Sequence, residues 1–254
     1  MRLEGKVAVI TGAGSGMGRA MANLFSAEGA KVVAAEWNAE SLDAVVAEVR
    51  GAGGEIVGVQ GNVALEADDA KVVETAISSF GTVDVLCNNA GVMDTNQAVG
   101  ELTNEMWERV LGVNLNGPMF LSRLVVPIMV AKGSGSIINT ASVAGVSGAA
   151  AGAAYTVSKH GVVGLTRNTA WVYGPSGVRC NAIAAGAVQT NIMQSVDQTK
   201  MDPTASARYQ LYYGCIPGQL EPVDIANLAL FLASEEARYI NGAIIPADAG
   251  WTAA

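Results

Sequence analysis

The sequence is poor in the residues that most often announce special chemistry. It has a single histidine, His160, and three cysteines, Cys87, Cys180 and Cys215, in 254 residues. One histidine argues against a histidine-based zinc centre, and no other metal site is expected. An odd number of widely spaced cysteines makes neither a disulfide framework nor a metal knuckle, which points to a reducing, cytoplasmic compartment. Bases are also short. The 15 Lys and Arg stand against 23 Asp and Glu, a formal charge of -8. Nothing there favours nucleic acid or an anionic membrane as partner. No apolar run reaches the ~20 uninterrupted residues of a membrane span. The first residues, Met1-Arg-Leu-Glu-Gly-Lys-Val7, carry no signal-peptide pattern. Proline is scarce at 7 while glycine reaches 30, a balance that suits many tight turns more than disorder.

What is present is an apolar chain in strict alternation. Half of it is hydrophobic, enough for one large domain over 1–254. Short apolar runs at 6–11, 31–36, 56–59, 83–87, 135–140, 178–184 and 243–246 read as buried parallel strands. Stretches with helical spacing fall between them, at 39–50, 67–80, 104–129, 153–173 and 222–234. The first helix follows a glycine turn, with Ala20, Met21, Leu24 and Phe25 on its stripe and Gly29 at its end. The long stretch at 104–129 is expected to bend near Pro118. This order predicts an α/β class fold: a single Rossmann-like, doubly wound parallel sheet of about seven strands with helices on both faces. Right-handed crossovers put the strand-to-helix turns on one edge, where ligands bind. Only 187–220 lacks a period. Its apolar and aromatic content reads as a substrate lid.

The turn after the first strand is Gly12-Ala-Gly-Ser-Gly16-Met-Gly18. Glycines at a strand-to-helix turn let the backbone approach a pyrophosphate at the helix N-terminus. Ser15 and Met17 line that turn, and Ser15 is uncharged. Glu36 ends the second strand, followed by Trp37 and Asn38 without a nearby base. A carboxylate there accepts from an adenosine ribose and repels a 2′-phosphate, so NAD is expected over NADP. Asn62-Val63, after the third strand, is placed to meet an adenine edge or to cap its own loop.

Tyr155-Thr-Val-Ser-Lys159 places a phenol and an ammonium one helical turn apart. An unperturbed phenol, with a pKa of about 10, is a poor base at neutral pH. An adjacent ammonium should lower that value. A fall to about 7 would correspond to roughly 4 kcal/mol. His160 faces away from this pair by helical angle and reads as structural or interfacial. Cys87 reads as a small buried strand residue, and Trp107 and Trp171 as packing residues.

Together these motifs resemble the short-chain dehydrogenase/reductase family over nearly the whole chain, from Lys6 to Trp251. The set is Thr11-Gly12-x-x-x-Gly16-x-Gly18, Asn88-Asn89-Ala90-Gly91, Asn114, Ser142 and Tyr155-x-x-x-Lys159. The resemblance implies a nicotinamide cofactor, catalysis on a secondary alcohol or ketone, and commonly a homotetramer. By the same resemblance Asn89, Ala90 and Gly91 line the cofactor ribose, while Asn88 braces the sheet. Asn114 holds a relay water through its backbone. Ser142 bonds the substrate oxygen, Tyr155 exchanges its proton, and Lys159 tunes Tyr155 and holds the nicotinamide ribose. Val188 and Thr190 meet the carboxamide. Ala185-Gly186 departs from the family's usual Pro-Gly, which bears on lid geometry. An apolar pocket wall is expected from Met93, Val143, Met193 and the stretch Tyr209 to Tyr213, for an apolar-flanked substrate of small to medium size. The competing readings are a non-catalytic NAD-binding regulator and an NADP-dependent carbonyl reductase.

Overall fold

Runs of Val, Ile and Ala with no alternation can be satisfied only where both sheet faces are covered. The computed structural model, which describes residues 1–253, shows this arrangement. Its strands are β1 (Val7–Thr11), β2 (Lys31–Glu36), β3 (Ile56–Gln60), β4 (Val85–Asn88), β5 (Gly135–Thr140), β6 (Val178–Ala185) and β7 (Ile244–Ala247). They form one seven-stranded sheet in the order β3-β2-β1-β4-β5-β6-β7, with every pair parallel. The helices are α1 (Gly16–Ala27), α2 (Ala39–Gly51), α3 (Glu66–Phe80), α4 (Asn104–Leu111), α5 (Gly117–Lys132), α6 (Ala153–Tyr173), α7 (Pro203–Tyr213) and α8 (Pro222–Ala233).

The pleat divides the core in two. On one face Ala8, Ile10, Val32 and Ala34 pack with Met21 and Phe25 of α1, Val45 of α2 and Ile225 and Leu230 of α8. On the other, Val7, Val9, Val33 and Ala35 pack with Val72 of α3 and Leu121, Val125 and Met129 of α5. Neighbours two residues apart therefore serve the same face, as strand geometry requires. The chain leaves β3 at one edge and re-enters beside β1 as β4. That reversal opens a crevice at the C-terminal ends of β1 and β4.

Three expectations change. The bend predicted at Pro118 lies just before it, as a π-helical segment at Gly112–Asn116 joining α4 to α5. Pro118 is the second residue of α5, directly after the π segment. The whole run Asn104–Lys132 is long and apolar enough to cross a membrane by length and composition alone, contrary to the reading of interrupted runs. Here α5 lies against the sheet through Leu121, Val125 and Met129. Finally, 187–220 is ordered more than its lack of period suggested. Val188 bridges to Leu220, the Leu220 amide donates to Ala187 O at 2.8 Å, and α7 lies between these pinned ends.

Candidate active site

The glycine turn is shaped by what its neighbours leave no room for. Gly12 and Gly16 have φ of 63° and 49°, a region that favours glycine. A Cβ on Gly12 would come 2.9 Å from Ala90 Cα. One on Gly16 would sit 3.0 Å from Thr190 Cγ2. One on Gly18 would collide with Gly12 O. The turn is thus drawn against the end of β4 and the start of the 187–220 segment. Thr11 fixes it there, its hydroxyl accepting from the Asn89 and Ala90 amides at 3.0 Å each. Asn89 Nδ2 returns a bond to Thr11 O at 2.9 Å. The expected residues Gly12, Gly16, Gly18, Asn89, Ala90, Gly91 and Thr190 therefore converge on the crevice, and Ser15 extends into the N-cap of α1. Met17 lies beside them and packs on the core.

Glu36 closes the adenosine end. It is buried, and its carboxylate accepts from the amides of Gly14 at 3.1 Å, Trp37 at 3.0 Å and Asn38 at 3.2 Å. A carboxylate offers about four acceptor sites, so one more donor can be met. Among the described residues no ion pair involves Glu36, and Arg19 is committed to Glu48. Trp37 is exposed. Asn62 is exposed, its Oδ1 accepting from Ala64 N at 3.0 Å, which is the loop-capping alternative; Val63 follows it in the same loop.

The reacting end is built from three elements. Ser142 follows β5 in extended conformation, its Oγ accepting from Ala144 N at 3.1 Å. Its hydroxyl lies close enough to the Tyr155 phenol to favour the ionised form. Lys159 lies one turn along α6 and donates to Thr140 O at 2.8 Å. Its Nζ is 5.5 Å from the centroid of the Tyr155 ring. Asn114, in the π segment, pins the loop after β4. Its Oδ1 accepts from Val92 N at 2.9 Å, and its Nδ2 donates to Val92 O at 2.9 Å and Ser158 Oγ at 3.2 Å. The i→i−5 bonding of a π segment disturbs the regular carbonyl ladder, the kind of local irregularity that recurs at functional sites. A Cβ on Gly91 would lie 3.5 Å from Asn114 Oδ1 and 3.7 Å from Lys159 Nζ, so the three meet at one point.

The electrostatics correct one expectation. Burial pushes the Tyr155 phenol up to about 12, against the favourable effect of Ser142 and with Asp94 and Tyr213 adding to the rise. Burial brings the Lys159 ammonium down to about 8. The ammonium stands over the ring and spends a bond on Thr140 O, so in the protein alone desolvation outweighs it. Two wall assignments also change. Helical spacing scatters Tyr209 to Tyr213 around α7. Tyr209 and Tyr213, four apart, both feel Asp94. Tyr212 instead stacks on Trp251 with centroids 4.7 Å apart, and Leu211 is exposed, as is Met193. His160 is exposed and bonds only its own helix, at Thr156 O.

One residue at this site escapes the sequence reading altogether. Asp94 is 1% exposed and accepts from Asn96 N, Gly152 N and Tyr155 N. A lone acid directly after the apolar pair Val92-Met93 carries no signal of its own. The positive φ of Asn96 next to it, 57°, is visible only in three dimensions.

A cleft at a strand-order reversal, lined by a glycine turn and a Ser-Tyr-Lys set, defines a nucleotide-binding oxidoreductase. Comparison with known proteins agrees. The family described as enoyl-(acyl carrier protein) reductase matches residues 12–252. The short chain dehydrogenase adrF of Penicillium rubens is 43% identical over 258 residues, covering 98% of each chain. Among solved structures, levodione reductase superposes with a TM-score of 0.90 at 35% identity, covering 100% of both chains. A structure from Beutenbergia cavernae holding NADP at low occupancy gives a TM-score of 0.86 at 37% identity, over 99% of this chain and 98% of that one. The chain belongs to the short-chain dehydrogenase/reductase family of oxidoreductases, which use a nicotinamide cofactor.

Proposed function

We propose that this protein is an NAD-dependent alcohol dehydrogenase/ketoreductase for secondary alcohols and ketones of small to medium size with an apolar flank. The observation that carries the reading is the convergence of Ser142, Tyr155 and Lys159 at the end of the glycine-lined crevice. Gly12, Gly16 and Gly18 would receive the pyrophosphate, Glu36 the adenosine ribose, Asn89 to Gly91 and Lys159 the nicotinamide ribose, and Val188 and Thr190 the carboxamide. Bound there, an oxidised nicotinamide supplies the hydride acceptor and a positive charge beside the phenol.

The protein's own part is proton management. Ser142 holds the substrate oxygen as its charge changes, where a positioned donor contributes most. Tyr155 takes the hydroxyl proton in oxidation and returns it in reduction. Lys159 keeps a positive charge over the ring while its pKa stays above ambient pH. Asn114 and Lys159 face one another across Gly91, which suits a proton path to solvent along that line.

Support for NAD is the buried Glu36 carboxylate, which would face a 2′-phosphate without a cation beside it. One partly screened charge conflict amounts to about 1–3 kcal/mol. The apolar substrate class is supported by Met93, which packs in one cluster with Tyr155, and by levodione reductase, which is named for a ketone. The three free thiols, two of them buried, suit a reducing cytoplasm. The test is a screen of secondary alcohols with each cofactor, read as kcat/KM. NAD should be preferred, and Glu36→Ala should narrow the gap. Equal efficiency with NADP would overturn the cofactor assignment. Cofactor binding without turnover on any alcohol would leave the regulator reading standing.

A further inference from the structure

A buried carboxylate lies behind the reacting tyrosine and takes no part in the chemistry above. Asp94 Oδ1 accepts from Asn96 N at 3.1 Å and Gly152 N at 3.2 Å, and Oδ2 accepts from Tyr155 N at 2.9 Å. Gly152 is the N-cap of α6, and Tyr155 lies in that helix's first turn. Helix N-termini present unpaired amides and a partial positive charge, and here a side chain from another loop fills that role. No residue before α6 does so: Gly152 has no side chain to cap with. Its Cβ, if present, would stand 2.5 to 2.7 Å from the Asp94 carboxylate atoms, so glycine is what lets the acid in.

The same loop holds the lid. Asp202 N donates to Thr95 O at 3.2 Å, at the start of α7. Asn96 Nδ2 donates to Ser206 Oγ at 3.4 Å. Ala153 N donates to Gln97 O at 2.9 Å, and the Tyr213 hydroxyl donates to Ala150 O at 3.1 Å. One strap, residues 94–97, is thus tied to the first turn of α6 on one side and to α7 on the other.

We infer that Asp94 is a positioning residue for Tyr155: it fixes the first turn of α6, and through its loop it couples the seating of α7 to the placement of the phenol. This rests on the enzyme reading for its kinetic consequence but not for its structural one. Because Asp94 acts at the helix backbone, its loss should move Tyr155 without disturbing the glycine turn. A misplacement of about 1 Å costs on the order of 10²-fold in rate.

Asp94 also acts by charge. It disfavours the ionised phenol of Tyr155 and raises Tyr209 and Tyr213 as well. The other titratable groups around the pair are Lys159 on α6, Asp202 at the start of α7, and Arg109 on α4, which donates to Met93 O at 3.1 Å. Removing the acid therefore lowers the pH at which Tyr155 ionises. A purely structural residue would lower the folded fraction and leave that pH in place.

The experiment compares the parent with Asp94→Asn, which keeps the shape but cannot accept on both sides. Cofactor affinity should be unchanged, and kcat should fall roughly ten- to a hundredfold. The midpoint of the pH–rate profile for oxidation should move down by about one pH unit. Hydrogen exchange at the Tyr155 and Gly152 amides should quicken while β-sheet amides stay protected. That last readout needs no substrate, so it decides the positioning role even if the parent shows no turnover and the enzyme reading fails. A folded Asp94→Asn protein with parental kcat, midpoint and amide exchange would overturn the inference. Should Asp94→Asn not fold, Gly152→Ala displaces the same carboxylate while keeping its charge in the molecule. It should reproduce the loss of kcat and the faster exchange; a parental result there overturns the inference equally.

Discussion

Tyr155 and Lys159 show how burial and charge compete at one position. Burial drives their pKa values apart, to about 12 for the phenol and about 8 for the ammonium in the protein alone. A positive charge arriving beside the phenol favours its ionised form, so in the proposed mechanism the tyrosine would become a base only when the site is filled. Oxidation should accordingly rise with pH through a single ionisation well below the phenol's value in the free protein. Tyr155→Phe keeps the ring and removes the exchangeable proton. Its kcat should drop by about 10²–10⁴ with cofactor binding intact. Near-full activity in a folded, cofactor-loaded Tyr155→Phe protein would falsify the assignment. Asp69 presents the opposite case, a buried acid with no function in view. It is 1% exposed on α3, both oxygens lack a partner among the described residues, and burial with Asp68 and Glu66 nearby raises its pKa to about 8. The bases in its vicinity are committed elsewhere, Lys71 to Asp68 and Arg123 to Glu66. The sign follows from linkage: the folded pKa is above the unfolded one, so the folded state binds the proton more tightly. Its contribution is complete below about pH 4 and is lost as pH rises toward 8. Asp69→Asn should melt with the parent near pH 4 and several degrees above it near pH 8, a gap on the order of a few kcal/mol. Equal melting temperatures at both pH values would rule this out.

At the scale of elements, legibility followed the source of each signal. Strand β2 could be read to both ends and β1 to its last residue because continuous Val, Ile and Ala runs stop at glutamate or threonine, and β5, Gly135-Ser-Ile-Ile-Asn-Thr140, was read to both ends on a shorter apolar core. Helix α6 could be read because its start follows a small-residue loop and its length repeats a helical period. The glycine turn was equally plain, since four glycines within seven residues at a strand end have few other uses. The π segment left no trace in composition: one extra residue in a turn changes hydrogen bonding and not residue type. Helix α7 stayed hidden because its tyrosines serve different partners. Tyr213 reaches Ala150 O and Tyr212 stacks on Trp251, so no single apolar stripe forms. The set Ser142, Tyr155 and Lys159 was legible as motif, whereas Asp94 was not, because its carboxylate bonds a backbone 58 residues away. The glycine turn supports a prediction at this scale. A methyl on Gly18 would meet Gly12 O and come 2.7 Å from Asn89 Nδ2. Backbone cannot move aside as a side-chain tip can, so Gly18→Ala should cost about 1–3 kcal/mol or more. Cofactor affinity should fall with it. Urea unfolding and a cofactor titration measure both, and a variant equal to the parent in each would show that the turn is looser than drawn.

For the whole molecule the question is what covers α6. Val157, Gly164 and Trp171 follow one another at seven-residue spacing and lie along one face of that helix. Val157 is 44% exposed and Trp171 is 85% exposed. Gly164 is exposed too, with open space where its Cβ would stand. Trp107 of the neighbouring α4 is partly exposed as well. Large apolar side chains left exposed along one helix face mark an interaction face. We propose a second copy of this chain as the occupant, since a helix face packed on itself is self-complementary about a two-fold axis. Two such axes close a homotetramer, as the family resemblance led us to expect. Light scattering at micromolar concentration should then give about four times the chain mass, and a monomer mass would refute the assembly. Gly164→Arg separates the interface from the fold. Within one chain the new side chain meets nothing, and replacing a mid-helix glycine should stabilise α6 by up to about 1 kcal/mol. Across a two-fold axis the same arginine would meet its own copy and push the helices apart. The expected outcome is a smaller particle whose individual chains are at least as helical as the parent's. A Gly164→Arg protein of parental mass would place the interface elsewhere.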